Sequence, residues 1–363
     1  MKKRRLGNSD LMVSEICMGC MGFGDPTRGQ HTWTLDEKSS REIIIQGLEA
    51  GINFFDTAIA YQSGTSEKYL GKTIQEVSNR DDVIIATKFL PKNDEEIEKG
   101  INGIQHVENM LNKSLENLGM DHVDLYIYHM WDHRTPLIEI LEGLNKLVKQ
   151  GKTRYIGISN CFAWQLAQAN DLARERNLTP FVSVQNHYNL IFREEEREMK
   201  AFCEQENIAM TPYSSLAGGR LSKHLNETSK RLKEDDYARL KYDSTKEVDQ
   251  KIIERVEELA SAHHTSMSAI SLAWLLTKTT SPIVGMTKPS HVKGAVDASN
   301  LVLNKDEIHY LEELYVPHKL VGVMAQNTKE SSNEAHVWSD KKNSKEEEKN
   351  EYSKNRCTIY GKI

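Results

Sequence analysis

The 363-residue chain has no apolar run near the roughly 20 residues that cross a bilayer, so no membrane-spanning helix is expected. It has no excess of positive charge either. The formal net charge is -6, and no Lys/Arg stripe is interleaved with aromatics, so nucleic acid is not an expected partner. Cysteine is sparse: Cys17, Cys20, Cys161, Cys203 and Cys357 are scattered and odd in number, which argues against a disulfide framework and for a reducing compartment. Cys17 and Cys20 form a C-x-x-C, but no second pair stands at zinc spacing, and a structural role is expected for them. The charged start Met1-Lys2-Lys3-Arg4-Arg5 leads into a turn pattern instead of a signal-peptide apolar region, so a cytoplasmic protein is expected. The strand, glycine-rich turn and helix of the doubly wound dinucleotide fold are missing too. Gly19-Cys20-Met21-Gly22-Phe23-Gly24 is glycine-rich, but such a match alone is weak.

What the chain does have is a series of short β-branched or aromatic runs, each ending in chemically useful residues. They fall at Glu15 to Gly19, Ile52 to Asp56, Val83 to Thr87, Val123 to His129, Arg154 to Ile158, Phe181 to Gln185, Ile208 to Tyr213 and Pro282 to Gly285. The first seven begin about 27 to 40 residues apart, the length of a strand plus its returning helix. Helical spacing of apolar residues fills Ser40 to Gly51, Val107 to Gly119, Pro136 to Gly151 and Ile252 to His263, and three of these stop at glycine, a usual C-cap. Eight strands with intervening helices predict a parallel (β/α)8 barrel, an α/β fold. Lys3 to Leu6 and Leu11 to Val13 flank Gly7-Asn8-Ser9-Asp10, a hairpin pattern expected to cap the barrel bottom. The barrel is expected over residues 1 to 323. From 324 to 363 the chain is polar and charged, with too few apolar residues for a core, and a mobile tail is expected there.

In such a barrel the carboxyl ends of all strands meet on one face, where catalytic side chains collect. Asp56 and Tyr61 follow the second strand, Lys88 the third and His129 the fourth. An ammonium beside a phenol favours the phenolate, so Lys88 is expected to lower the Tyr61 pKa, with Asp56 keeping the lysine charged. His129 is then placed to hydrogen-bond a substrate oxygen. This is chemistry for a carbonyl becoming an alcohol, and it lacks only a hydride. His129 and His133 form an H-x-x-x-H beside Asp132. His129 ends a strand whereas Thr135-Pro136 opens a helix, so the two diverge and no metal is expected. Single residues of these types at strand ends are ordinarily caps or surface groups, and Ser159 and Asn160 have the alternative role of capping the helix near Phe162.

With Asp56-Thr57-Ala58 and Tyr61, Thr87-Lys88, His129, Gly157-Ile158-Ser159-Asn160, Gln185-Asn186-His187-Tyr188-Asn189 and Tyr213-Ser214-Ser215-Leu216-Ala217-Gly218-Gly219 in order, residues 1 to about 320 closely resemble the aldo-keto reductase superfamily. The resemblance implies NADPH-dependent reduction of a small-molecule aldehyde or ketone. Tyr61 is then the general acid, Asp56 and Lys88 tune it, and His129 orients the carbonyl. Ser159, Asn160 and Gln185 are implied to hold the nicotinamide carboxamide, Tyr213 to stack on its ring, and Ser214, Ser215, Leu216, Gly218 and Gly219 to pass the pyrophosphate. Gly19, Cys20 and Met21 after the first strand are also assigned to the cofactor. Gly285, Thr287, Lys288 and His291 resemble the adenosine 2'-phosphate site, with Lys288 as the cation. Many relatives carry Glu-Asn where this chain has Gly294-Ala295, which leaves NADH as the alternative cofactor.

Trp131 is expected to wall an apolar substrate pocket, ahead of Trp33 and Trp164. Two other functional readings stand beside the enzyme. One is a cofactor-responsive regulatory subunit whose tail engages a protein partner; the other is a barrel for phosphorylated sugars, which needs cations such as Arg134 or Arg220 at the pocket.

Overall fold

The computed structural model describes residues 1–224 and 234–326. Its sheet is built from all eight expected strands, most of them shorter than the apolar runs that announce them. They are β3 (Cys17–Gly19), β4 (Phe54–Asp56), β5 (Ile84–Phe89), β6 (Val123–Tyr128), β7 (Thr153–Ser159), β8 (Ser183–Gln185), β9 (Ala209–Met210) and β10 (Ile283–Gly285). All neighbours pair in parallel, in the order β10-β3-β4-β5-β6-β7-β8-β9. Backbone bonds close the ring: Thr280 donates to the Met210 carbonyl at 3.0 Å and Ile283 to the Pro212 carbonyl at 2.9 Å. The closed sheet is the expected (β/α)8 barrel.

Helices return the chain between strands. Among the described residues, α1 (Glu37–Glu49), α2 (Thr65–Val77), α3 (Asp94–Glu98), α4 (Gly103–Leu118), α5 (Leu137–Lys149), α6 (Ala163–Glu175) and α7 (Met199–Glu206) precede β9. Then come α8 (Asp236–Tyr242), α9 (Lys246–Ala262), α10 (Met267–Leu276), α11 (Pro289–Asn300) and α12 (Lys305–Glu312). Gly119 ends α4 in the left-handed region at φ 64°, as its C-cap position requires. No described helix is long and apolar enough to cross a membrane.

The hairpin β1 (Lys3–Arg5) and β2 (Met12–Ser14) closes the barrel floor. Its Leu6, Leu11 and Val13 are buried together with the inward residues Cys17, Phe54, Ile84, Leu125, Ile127 and Ala209. Each such aliphatic side chain contributes on the order of 1.5–3 kcal/mol when fully buried. Gly7, at φ 54°, lies so close to the strands that a Cβ there would stand 2.5 Å from the Val182 carbonyl oxygen. With the floor sealed, the open face is the one at the strand carboxyl ends. At the other end of the chain, Gly322–Gln326 forms a 3-10 turn, and Met324, where the sequence suggests a tail begins, is buried. The remainder of the expected tail lies outside the described residues.

Candidate active site

Strand register sets the site. Asp56 pairs with Ala86 across β4 and β5, which places Lys88 two residues further out, and Lys88 in turn pairs with Ile127, two residues before His129. Tyr61 reaches the same point by a tight turn. Gln62 and Ser63 adopt left-handed φ of 48° and 52° before Gly64 starts α2, a conformation that non-glycine residues seldom take. The Gln62 side chain secures this turn by donating to the carbonyls of Asp25 at 2.8 Å and His31 at 2.9 Å, tying it to the preceding loop.

Lys88 is fully buried and makes three hydrogen bonds from Nζ: to Asp56 Oδ1 at 2.5 Å, to the Thr57 carbonyl at 2.7 Å and to the Tyr61 hydroxyl oxygen at 3.1 Å. Three bonds to three oxygens use every proton of an ammonium. The second Asp56 oxygen accepts from Gln185 Nε2 at 2.9 Å. Burial pulls the Lys88 pKa down, but Asp56 and Tyr61 outweigh it and raise it above the ordinary lysine value. Burial pushes Asp56 up from the usual carboxylate range against the opposing pull of Lys88.

Tyr61 departs from the sequence expectation. Burial raises its pKa above 10, and the opposing effect of Lys88 is too small to reverse this, with Asp56 adding to the rise. The phenol therefore holds its proton at neutral pH. Because its oxygen accepts from Lys88, its own O–H is left to point elsewhere. The His129 ring stands edge-on to it, with centroids 6.1 Å apart. Burial, then Lys88, holds His129 well below the usual histidine value, so it is a neutral imidazole.

Asp56, Tyr61 and His129 open on a cavity of about 360 Å³, within the usual range for small-molecule sites. Asn160, at a left-handed φ of 53°, donates to the His129 carbonyl at 2.9 Å and accepts from the Tyr213 hydroxyl at 2.9 Å. Past Tyr213 the wall continues through Ser214, Ser215, Leu216, Gly218 and Gly219, and returns through Gly285, Thr287, Lys288 and His291. The profile of the aldo/keto reductase family matches residues 15–316. The chain belongs to that family.

The chain spans most of the length of the relatives it matches. An aldo-keto reductase of Fusarium vanettenii is 34% identical over 343 residues, covering 88% of this chain and 92% of that one. The versiconal hemiacetal acetate reductase of Aspergillus parasiticus is 35% identical over 339 residues, covering 87% and 98%. Among solved structures, a thermostable aldo-keto reductase in complex with the inhibitor epalrestat superposes with a TM-score of 0.69 at 25% identity, over 86% of this chain and 100% of that one. Membership makes this chain an oxidoreductase of a family that acts on small-molecule carbonyls and generally uses NAD(P)H.

Most residues singled out from sequence converge on this cavity in the family member: Asp56, Tyr61, His129, Gly19, Met21, Asn160, Gln185, Tyr213 and the two later segments all line it. Lys88 lies just behind them. Three others do not line it either. Cys20 is buried, with Sγ facing the Met18 carbonyl, because the chain turns into a 3-10 helix there. Ser159 donates to the Gln185 backbone carbonyl at 2.6 Å and accepts from the Asn160 side-chain amide at 2.9 Å, so it holds the Asn160 amide from behind. Trp131 packs between Tyr128 and Trp164, at centroid distances of 6.3 and 6.4 Å, and Trp33 takes the place in the wall that was expected of it. Neither Ser159 nor Asn160 caps α6; the Phe162 N–H is satisfied by the Gln165 side chain at 2.9 Å.

Arg134 pairs with Asp94 at 2.7 Å and Arg220 with Asp243 at 2.6 Å, and neither lines the cavity, so neither supplies the cation that a sugar-phosphate reading needs. Among the described residues no cluster of three or more His, Cys, Asp or Glu is placed to hold a metal. The sequence reading missed His31, Leu35, Tyr237, Lys241 and Val323, which lie on loops, on α8 or in the final turn, away from any strand end.

Proposed function

We propose that the chain reduces aldehydes or ketones to alcohols with NADPH, Tyr61 acting as the general acid. The observation that carries this reading is the saturated Lys88 ammonium, which fixes the Tyr61 oxygen as an acceptor and leaves a neutral O–H to be given up. A dinucleotide, when bound, supplies the hydride. Tyr61 donates a hydrogen bond to the substrate oxygen and then its proton, and Lys88 stabilises the charge that develops on the phenol oxygen. Neutral His129 offers an N–H to the same oxygen and sets the carbonyl's orientation.

The residues present fit such a cofactor. Gln185 has one amide N–H on Asp56, which leaves its carbonyl oxygen for a carboxamide, beside Asn160. The flat face of Tyr213 suits the nicotinamide ring. Ser214, Ala217, Gly218 and Gly219 all have positive φ, at 60°, 49°, 66° and 105°, and turn the backbone into a concave strip suited to a diphosphate. Lys288 and His291 suit a 2'-phosphate, and this favours NADPH over NADH.

The test is consumption of NADPH by the purified protein on a panel of aldehydes, ketones and dicarbonyls. Turnover on members of the panel is the expected result. Tight NADPH binding without turnover on any of them would favour the regulatory-subunit reading, and absence of NADPH binding would overturn the cofactor assignment.

A further inference from the structure

We infer that a second cavity, separate from the one around Tyr61, binds a small organic ammonium through the buried carboxyl of Glu195. This cavity, of about 330 Å³, is lined by the start of α6 at Phe162, by Glu194, Glu195 and Met199 ahead of and at the start of α7, and by Leu320 and Met324 of the chain's final described segment. Its volume is in the range of small-molecule sites. It shares no lining residue with the other cavity, although the two walls adjoin where Cys161 follows Asn160 and Met324 follows Val323. Glu195 is only 6% exposed. One of its oxygens accepts from Asn186 Nδ2 at 2.8 Å, and the same amide group donates to the Cys161 carbonyl at 2.8 Å. The other oxygen accepts from no group among the described residues.

The charges of the wall decide what that oxygen receives. Arg197 pairs with Glu194 at 2.6 Å, and Glu194 also accepts from the Tyr315 hydroxyl and the His318 N–H, both at 2.8 Å. The His318 ring faces Asp249 of α9 at 3.0 Å. Glu195 and the exposed Glu198 thus have no cation among the described residues. Burial, opposed in part by Asn186 and reinforced by Glu198 and Glu194, pushes the Glu195 pKa up to about 8. Cys161 of the same wall and Cys203 of α7 are also titratable, and burial keeps both as thiols. Glu195 therefore holds its proton at neutral pH, and an ammonium donating to its second oxygen would favour the carboxylate. An anion would instead meet Glu195 and Glu198 together. Much of the remaining wall is apolar: Phe162, Met199, Leu320 and Met324 suit a compact hydrocarbon body, the thioethers adapting to its shape. The ligand class is a primary ammonium on such a body.

The experiment titrates phenethylamine, with phenethyl alcohol as its uncharged counterpart, into the full chain and into Glu195→Gln by calorimetry. The amine should bind the wild-type protein about tenfold or more tightly than the alcohol does, and Glu195→Gln should lose about tenfold or more of the amine affinity while binding the alcohol as the wild type does. Amine binding to the wild type near neutral pH should also release about one proton, read from the dependence of the heat on the ionisation enthalpy of the buffer, because Glu195 gives its proton up. No amine binding, or equal affinity for amine and alcohol, would overturn the inference. So would unchanged amine affinity in Glu195→Gln, an equal loss for both ligands, or binding without proton release. The proton count uses the wild-type protein alone, so it decides the matter even if the variant does not fold.

Discussion

Lys88 and Asp56 form a fully buried ion pair, so removing one partner leaves an uncompensated charge. Lys88→Met is expected to cost about 3–5 kcal/mol in urea unfolding, and adding Asp56→Asn should recover much of it. A loss near the roughly 0.5 kcal/mol typical of surface substitutions would contradict the pairing. Tyr61 gives a pH prediction. Since its pKa is raised above 10, the acid form persists through neutrality, and carbonyl reduction at saturating cofactor should not fall between neutral and mildly alkaline pH. A decline centred near neutral pH would show a depressed Tyr61 instead. His129 adds a stability term with a definite sign. Its folded pKa is below its unfolded value of about 6.5, so the unfolded chain binds the extra proton and stability is lost as pH falls below 6.5. His129→Gln should lose less stability over that acid range than the parent. Which residues meet at the site was readable from their places after the strands, but the sign of the Tyr61 shift was not. It depends on how completely the turn at Gln62 and Ser63 buries the phenol, and no local pattern encodes that.

At the level of elements, α2 connects the Tyr61 turn to the rest of the barrel. It carries the buried Glu67, which accepts from Thr87 at 2.6 Å, next to Lys88, and from Asn117 at 2.8 Å. Gly71 lets α2 lie against the end of α4, where a Cβ would stand 2.0 Å from the Leu118 carbonyl oxygen. Gly71→Ala should therefore destabilise by about 1–3 kcal/mol and reduce turnover through the displaced Glu67 and Thr87, read as a lower melting temperature and kcat. A fully stable, fully active variant would show that this contact does not set the site. Helices with an apolar stripe, such as α4 and α5, were legible. Several others were not, and two of them show opposite reasons: α2 buries Ser66, Glu67 and Thr73 alongside only a few apolar residues, whereas α10 is buried on every side and so shows no periodicity.

For the whole molecule, the barrel closed at its floor by the hairpin leaves one working face, and the chain's final described turn contributes to it. Val323 lines the cavity and donates to the Tyr237 hydroxyl of α8 at 3.3 Å. A chain ending at Val321 should bind NADPH several-fold more weakly, whereas one ending at Gln326 should bind it as the full chain does. Equal binding by all three would remove this role. The barrel was legible because strand and helix patterns alternate along most of the chain; the contribution of the last turn was not, because a contact between Val323 and α8 exists only once the fold brings them together. The most direct test of the account is single-turnover reduction of an aldehyde at saturating NADPH by the wild-type protein and Tyr61→Phe, with the NADPH dissociation constant measured alongside. The account predicts a rate lower by about 10²–10⁴-fold with NADPH affinity nearly unchanged. A rate within a few-fold of wild type would contradict the role of Tyr61 as the acid.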